Sequence, residues 1–256
     1  MLQVPYSSSD QERDRPLVQI PFTIFAVLTV MLPLLGLLIC LSVALIFHFN
    51  DTTYTHCKVK NYLPSISSAI SPVPERYIWR GFIALHAARR YLCSAVYFSF
   101  YYRHFHGRKP ELLLTVVTLL LSLIENTGLL WVSYVGSTES YKSHMYGYSA
   151  FIGSSLLYMF TTLCLWYVIQ RRSLHSEGVK SYRWKLRLFL FKLVCCACDF
   201  YLFRRHNEFC EPGMYTLFAL FQYLVVFSNM AFHMTACWDF RGKAVMFARR
   251  QKDKRY

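Results

Sequence analysis

The chain has 256 residues, 55% hydrophobic and only 16% charged, whereas ordinary soluble domains carry about 25% charged residues. This excludes a water-soluble globular protein and makes the bilayer the expected solvent. The formal charge of +14 sits in short connectors beside apolar segments, where an anionic leaflet accounts for it, so nucleic acid is not an expected partner.

In chain order, the polar residues Ser7 to Arg15 read as disordered. The first expected span, Thr23–Phe47, lies in a stretch without formal charge between Pro16 and Asn50, with Pro33 as a tolerated kink. It is too long for a signal-peptide core and no Ala-x-Ala-like site closes it, so it reads as uncleaved. The second span, Tyr77–Tyr101, carries Arg80, His86, Arg89 and Arg90; the third, Leu112–Val135, carries Glu125. The fourth, Met145–Ile169, is charge-free. The fifth, Lys185–Phe203, carries Lys192 and Asp199, which leaves it most open to a re-entrant or interfacial alternative. The sixth is Met214–Trp238, followed by a basic tail over 239–256. The expected fold is an all-α polytopic membrane helix bundle of about six spans, one domain over the whole chain. Charges inside such spans are expected to point into the bundle and pair.

Lys and Arg fall mainly on one side. That side holds Arg13, Arg15, Arg103, Arg108 and Lys109, then the cluster Arg171 to Arg187, which includes Lys185, and the tail. By the positive-inside bias both termini are expected in the cytosol. Cys57 and Cys210 then fall in loops on the opposite side, where a disulfide is permitted, and are expected to pair. The other seven cysteines lie in or at the ends of spans and read as packing residues.

Within the bundle, His86, Arg89 and Arg90 share one turn, and Glu125 reaches a comparable depth, which makes Glu125 with Arg89 or Arg90 a candidate ion pair. Asn229 and His233 lie one turn apart on one face. Such groups are functional candidates, with a helix-locking network as the alternative. On the non-cytosolic side, the loop Asp51–Arg76 is punctuated by prolines 64, 72 and 74. The segment from Arg204 to Gly213 is dense in proton-handling side chains; disulfide support and capping are its alternative roles.

Several runs carry a resemblance: Thr55-His56-Cys57, Asn61-Tyr62-Leu63-Pro64-Ser65-Ile66-Ser67-Ser68-Ala69-Ile70, Lys180-Ser181-Tyr182-Arg183-Trp184-Lys185, Arg205-His206-Asn207, Cys210-Glu211, and Asn229 to Ala236. The chain resembles the post-GPI-attachment factor two family, within the wider Frag/DRAM/Sfk membrane group, from Met1-Leu2-Gln3-Val4-Pro5 to the basic tail. The resemblance implies fatty-acid remodelling of GPI anchors in the Golgi membrane, with the endoplasmic reticulum membrane as a second location. The step is reacylation of lyso-GPI with a saturated chain, by the chain itself as acyltransferase or as an essential component. Lyso-GPI and GPI-anchored proteins are the implied partners and acyl-CoA the candidate donor; no bound cofactor or metal is expected.

Acyl transfer to a lipid hydroxyl calls for a base, typically histidine, and donors for the developing oxyanion. The candidates are His206, His56, His86, Glu125 and His233 for catalysis, and Arg76, Arg204, Arg205, Arg89, Arg90 and Asn229 for the substrate and its phosphodiester. No His-x-x-x-x-Asp box or Gly-x-Ser-x-Gly elbow is present. The competing class is a non-enzymatic GPI-lipid-binding protein or a trafficking and signalling regulator of the DRAM type. Lys252 and Lys254 fit a coat-protein retrieval signal.

Overall fold

The computed structural model describes residues 18–171 and 176–247. Ser7 to Arg15 and the pair Lys252 and Lys254 lie outside the described residues. The elements are β1 (Val18–Pro21), α1 (Phe22–Phe47), α2 (Phe49–Thr53), α3 (Ile66–Ala69), α4 (Glu75–His104) and α5 (Lys109–Tyr134). They continue as α6 (Tyr141–Gln170), α7 (Ser176–Phe209), α8 (Met214–Met234), α9 (Ala236–Asp239) and β2 (Ala244–Phe247).

Successive long helices reverse between two ends of an all-α membrane bundle. At one end β1 pairs antiparallel with β2, so both described ends of the chain lie together. An aromatic cluster beneath the strands draws Phe22 and Phe25 of α1, Tyr97 and Tyr101 of α4, Trp166 of α6, and Phe240 into one core. The opposite end carries the loop before α4 and the Cys57–Cys210 disulfide, whose Cα atoms are 5.3 Å apart. These are called the sheet end and the disulfide end below.

Among the described residues, Phe22–Phe47, Lys109–Tyr134, Tyr141–Gln170 and Met214–Asp239 are long and apolar enough to span a bilayer by composition. Helices α4 and α7 are long enough, at 30 and 34 residues, and fall short in hydropathy because of their charges. Arg90, Lys192 and Asp199, the charges deepest in these helices, are buried. On α7, Lys192 and Cys195 are buried while Leu190, Leu193 and Val194 are exposed, the inside-out pattern of a helix whose outer face meets lipid.

Small residues let two helices close. A Cβ on Gly128 of α5 would lie 2.7 Å from the Phe151 backbone nitrogen of α6, and one on Gly147 would lie 2.9 Å from that of Val132. Such close backbone approach is common in membrane bundles. It seats the first turns of α6 against the last turn of α5, which becomes important for His144.

The sixth expected span, Met214–Trp238, falls within the apolar stretch Met214–Asp239, in which Thr235 separates α8, ending at Met234, from α9. Lys185, counted above in the basic cluster and as the first residue of the fifth expected span, is 1% exposed and donates to Asp239 Oδ2 at 2.6 Å and Ser181 Oγ at 2.6 Å. Asp239 also accepts from the Tyr97 hydroxyl at 2.6 Å. The start of the tail is therefore part of the fold. A buried lysine needs a charged partner, and residue 239 supplies it from a segment whose composition looked like a solvated tail.

Candidate functional site

Glu125 of α5 is 2% exposed and sits at the centre of a closed network. Its Oε2 accepts from Arg90 Nη2 at 3.1 Å, and its Oε1 from Asn229 Nδ2 at 2.9 Å and His233 Nε2 at 2.8 Å. Arg90 Nη1 lies 2.7 Å from His233 Nδ1. A guanidinium only donates, so His233 Nδ1 is the acceptor and Nε2 carries the proton. Both ring nitrogens are thereby committed. Lys192 of α7 closes the far side, donating to Asn229 Oδ1 at 2.7 Å and Ser155 Oγ at 2.5 Å. The arrangement locks α4, α5, α6, α7 and α8 by charge and leaves His233 no free lone pair.

Of the two arginines considered for Glu125, the structure selects Arg90. Arg89 is half-buried and makes no side-chain hydrogen bond among the described residues. His86 donates from Nδ1 to the Thr29 carbonyl at 2.7 Å and lines a narrow cavity of about 80 Å³ with Arg90, Glu125, Asn229 and His233.

A larger cavity of about 390 Å³ adjoins it between α6 and α7, with Ser67, Tyr148 and Gln222 forming a wall common to both. This lies within the range of ligand pockets, about 300–1,000 Å³. One wall is apolar, with Met145, Ile152, Phe200, Phe203 and Phe218; the other pole is polar, with Ser67, His144, Tyr148 and Asp199. Tyr141 and Phe200 at its edge are 58% and 64% exposed, so the cavity opens sideways, toward lipid. Gly153 also lines it, and a Cβ there would meet nothing within 4 Å.

The polar pole is built from distant parts of the chain. His144 Nδ1 lies 2.7 Å from the Val135 carbonyl and Nε2 lies 2.9 Å from Ser67 Oγ. A carbonyl only accepts, so Nδ1 bears the proton and Nε2 receives the Ser67 hydroxyl hydrogen. Tyr148 donates to Asp199 Oδ2 at 3.0 Å. Asp199 is 7% exposed, and its Oδ1 has no partner among the described residues.

At the disulfide end, His56 and His206 have ring centroids 5.6 Å apart. His206 is buried with neither ring nitrogen hydrogen-bonded among the described residues, and its ring packs on Tyr215, which lines the larger cavity. Both imidazoles converge on the Cys57 sulfur, but that sulfur is spent in the disulfide and offers no thiolate to a metal. The rim arginines all have carboxylate partners: Arg204 pairs with Glu208, Arg205 with Glu211, and Arg76 with Glu139 at 3.5 Å. Arg80 joins Glu139 at 3.2 Å. The Gly136 N–H and the Arg80 guanidinium hold the Glu139 carboxyl below its ordinary range.

Of the expected site residues, Arg90, Glu125, Asn229 and His233 form the charge lock, His56, His206, Arg76, Arg204 and Arg205 lie toward the disulfide end, and His86 and Arg89 belong to neither group. Ser67, His144, Tyr148 and Asp199 were not among the candidates. Ser67 stood in the motif run 61–70 and Asp199 was noted as a charge in an apolar span, and these were the available signals.

The chain matches the Frag1/DRAM/Sfk1/Cwh43P N-terminal domain over residues 21–243. It is 55% identical over 214 residues to "Acyltransferase PGAP2" of Danio rerio, covering 84% of this chain and 92% of that one. The chain belongs to the post-GPI attachment to proteins factor 2 branch of the Frag1/DRAM/Sfk1 family. The protein named "Acyltransferase PGAP2" of Xenopus tropicalis is 45% identical over 231 residues, 90% of this chain and 92% of its own. "Post-GPI attachment to proteins factor 2" of Drosophila melanogaster is 39% identical over 225 residues, 88% of each chain. No solved structure matches. The match to the Frag1/DRAM/Sfk1 family spans both cavities and the disulfide, so the whole site lies within the shared region.

Proposed function

We propose that this protein reacylates the lyso-GPI lipid during GPI-anchor remodelling, acting itself as the acyltransferase. The observation that carries this reading is the half-open cavity between α6 and α7, whose apolar wall suits an acyl chain and whose polar pole suits a reacting glycerol hydroxyl. Relatives named as acyltransferases and as post-GPI attachment factors support it.

In this reading the sheet end faces the cytosol and the disulfide end the lumen of the Golgi. The described cations Arg103, Arg108, Lys109, Lys180, Arg183, Arg241 and Lys243 lie toward the sheet end, in keeping with the positive-inside bias. The disulfide suits an oxidising lumen. The anchor's glycan and phosphodiester would meet His56, His206 and the rim arginines, while its glycerol and remaining chain enter the cavity. Acyl-CoA serves as candidate donor, and a coat protein reading Lys252 and Lys254 would keep the protein in the early secretory pathway.

The test is a lyso-GPI analogue with a photoreactive group on its remaining chain, crosslinked to the purified protein. Crosslinks at Ile152, Phe200 or Phe203 are expected. Crosslinks confined to the sheet end, or none competed by unlabelled lyso-GPI, would overturn the reading.

A further inference from the structure

We infer that Ser67 is a nucleophile that carries the acyl group as a covalent ester and that His144 is its general base, an assignment that rests on the acyl-transfer reading above. Nucleophilic catalysis needs a hydroxyl, a base within hydrogen-bond reach, and a third group that orients the base. All three are present: the hydroxyl on Ser67, the acceptor nitrogen of His144 at 2.9 Å, and the Val135 carbonyl fixing the other nitrogen at 2.7 Å.

The local sequence holds the pair in register. Ser65 caps α3 by accepting from the Ser68 N–H at 3.2 Å, the Ile66 N–H donates to Gln222 Oε1 at 2.7 Å, and the Tyr223 hydroxyl donates to the Pro64 carbonyl at 3.1 Å. The cap closes the four-residue helix, and the other two contacts fix it against α8. On the other side, the Gly128 and Gly147 approach brings α6 against α5, so His144 reaches the Val135 carbonyl.

The pair differs from the other polar contacts of the bundle. Ser94, Ser154, Ser155, Thr115 and Thr118 donate to carbonyls of their own helices three or four residues back. His233 has both nitrogens engaged, and His86 meets a carbonyl and no hydroxyl. Among the described residues, His144 is the histidine paired with a side-chain hydroxyl. Asp199 Oδ1 in the same cavity is a buried acceptor without a donor among the described residues, which is unfavourable; the hydroxyl of a lipid acceptor would satisfy it.

The chemistry balances with a long-chain acyl thioester or ester as donor. Ser67 Oγ bonds to the acyl carbonyl carbon while its proton passes to His144 Nε2. The bond from that carbon to the donor's sulfur or oxygen breaks, and the leaving group takes the proton from His144. The free hydroxyl of the lyso-lipid then attacks the acyl-serine, gives its proton to His144 Nε2, and the bond to Ser67 Oγ breaks. The proton returns to Ser67 and the lipid leaves acylated.

The test uses the purified full chain in detergent, first without lyso-GPI. It is incubated with either alkyne-tagged stearoyl-CoA or phosphatidylcholine bearing the same tagged chain, and the adduct is located by peptide mass spectrometry. The wild type is expected to carry label on Ser67, resistant to neutral hydroxylamine and released on adding lyso-GPI; which donor labels it identifies the acyl source. Ser67→Ala removes one side-chain hydrogen bond and is expected to lose at least about 100-fold in labelling, as is His144→Gln. Ser67→Cys is expected to label as a hydroxylamine-labile thioester, with the intact Cys57–Cys210 disulfide reporting the fold of each variant. Label on Cys196 instead, no label on the wild type with either donor, or transfer to lyso-GPI by Ser67→Ala within twofold of wild type overturns the assignment. In the last case the reacylation reading survives without it. Label that forms on Ser67 but never moves to lyso-GPI upholds the nucleophile and overturns the acceptor.

Discussion

Replacing Glu125 by Ala tests whether the central network is a lock. The substitution removes the acceptor of Arg90, Asn229 and His233 at once and leaves the Arg90 guanidinium, 6% exposed, without its carboxylate. Counted as three neutral hydrogen bonds in a membrane at about 0.6 kcal/mol each, the loss would be about 2 kcal/mol. Stranding a buried charge raises this to about 3–5 kcal/mol. The double variant Glu125→Ala with Arg90→Met removes both charges, so its loss should fall short of the sum of the two single variants by about 0.5–3 kcal/mol. Unfolding in mixed micelles of increasing SDS, followed by the fluorescence of Trp79 and Trp166, measures all four states. A single-variant loss below about 1 kcal/mol, or strict additivity, would refute the lock.

Further outcomes follow from the packing and the cavity. Gly128→Val places a Cβ 2.7 Å from the Phe151 backbone nitrogen; it should cost about 1–3 kcal/mol in the same SDS titration and displace His144 from the Val135 carbonyl. Gly153→Trp projects into open space beside the cavity, so stability should stay within about 0.5 kcal/mol of wild type, while transfer of a stearoyl group falls more than transfer of an octanoyl group in a radiolabel assay. For Glu139, whose folded pKa is depressed, its contribution is present above the ordinary glutamate range and is lost as pH falls through the folded value. Protection of the Gly136–Ser140 amides, measured as exchange relative to the intrinsic rate at each pH, should therefore fall on acidification below that range, and Glu139→Gln should make that protection low and flat with pH.

The charge lock and the disulfide were legible in the sequence for different reasons. A carboxylate and an arginine in apolar helices have nowhere to go but toward each other, and Asn229 and His233 share a face by spacing alone. Cys57 and Cys210 follow from counting spans, because parity puts both on one side. The choice of Arg90 over Arg89 was not legible, since adjacent residues differ by about 100° around a helix and only packing decides which one enters the core. The Ser67–His144 pair joins residues 77 apart, one in a serine-rich loop and one at a helix start, and neither position departs from ordinary loop and helix-end composition. Asp199 with Tyr148, 51 residues apart, was hidden in the same way. The tail strand and the Asp239–Lys185 pair were missed because a basic C-terminal segment looks solvated until a partner strand and a buried cation are found for it.

The central claim is that this chain, without other subunits, moves an acyl group onto lyso-GPI. Its most direct test is the purified protein in nanodiscs with lyso-GPI and a radiolabelled stearoyl donor, with diacylated GPI resolved by chromatography. Time-dependent label in GPI, abolished in His144→Gln and Ser67→Ala and retained in Leu113→Ala, a change on an exposed face away from both cavities, is the predicted result. Specific lyso-GPI binding with no label transferred by the wild type would contradict the account.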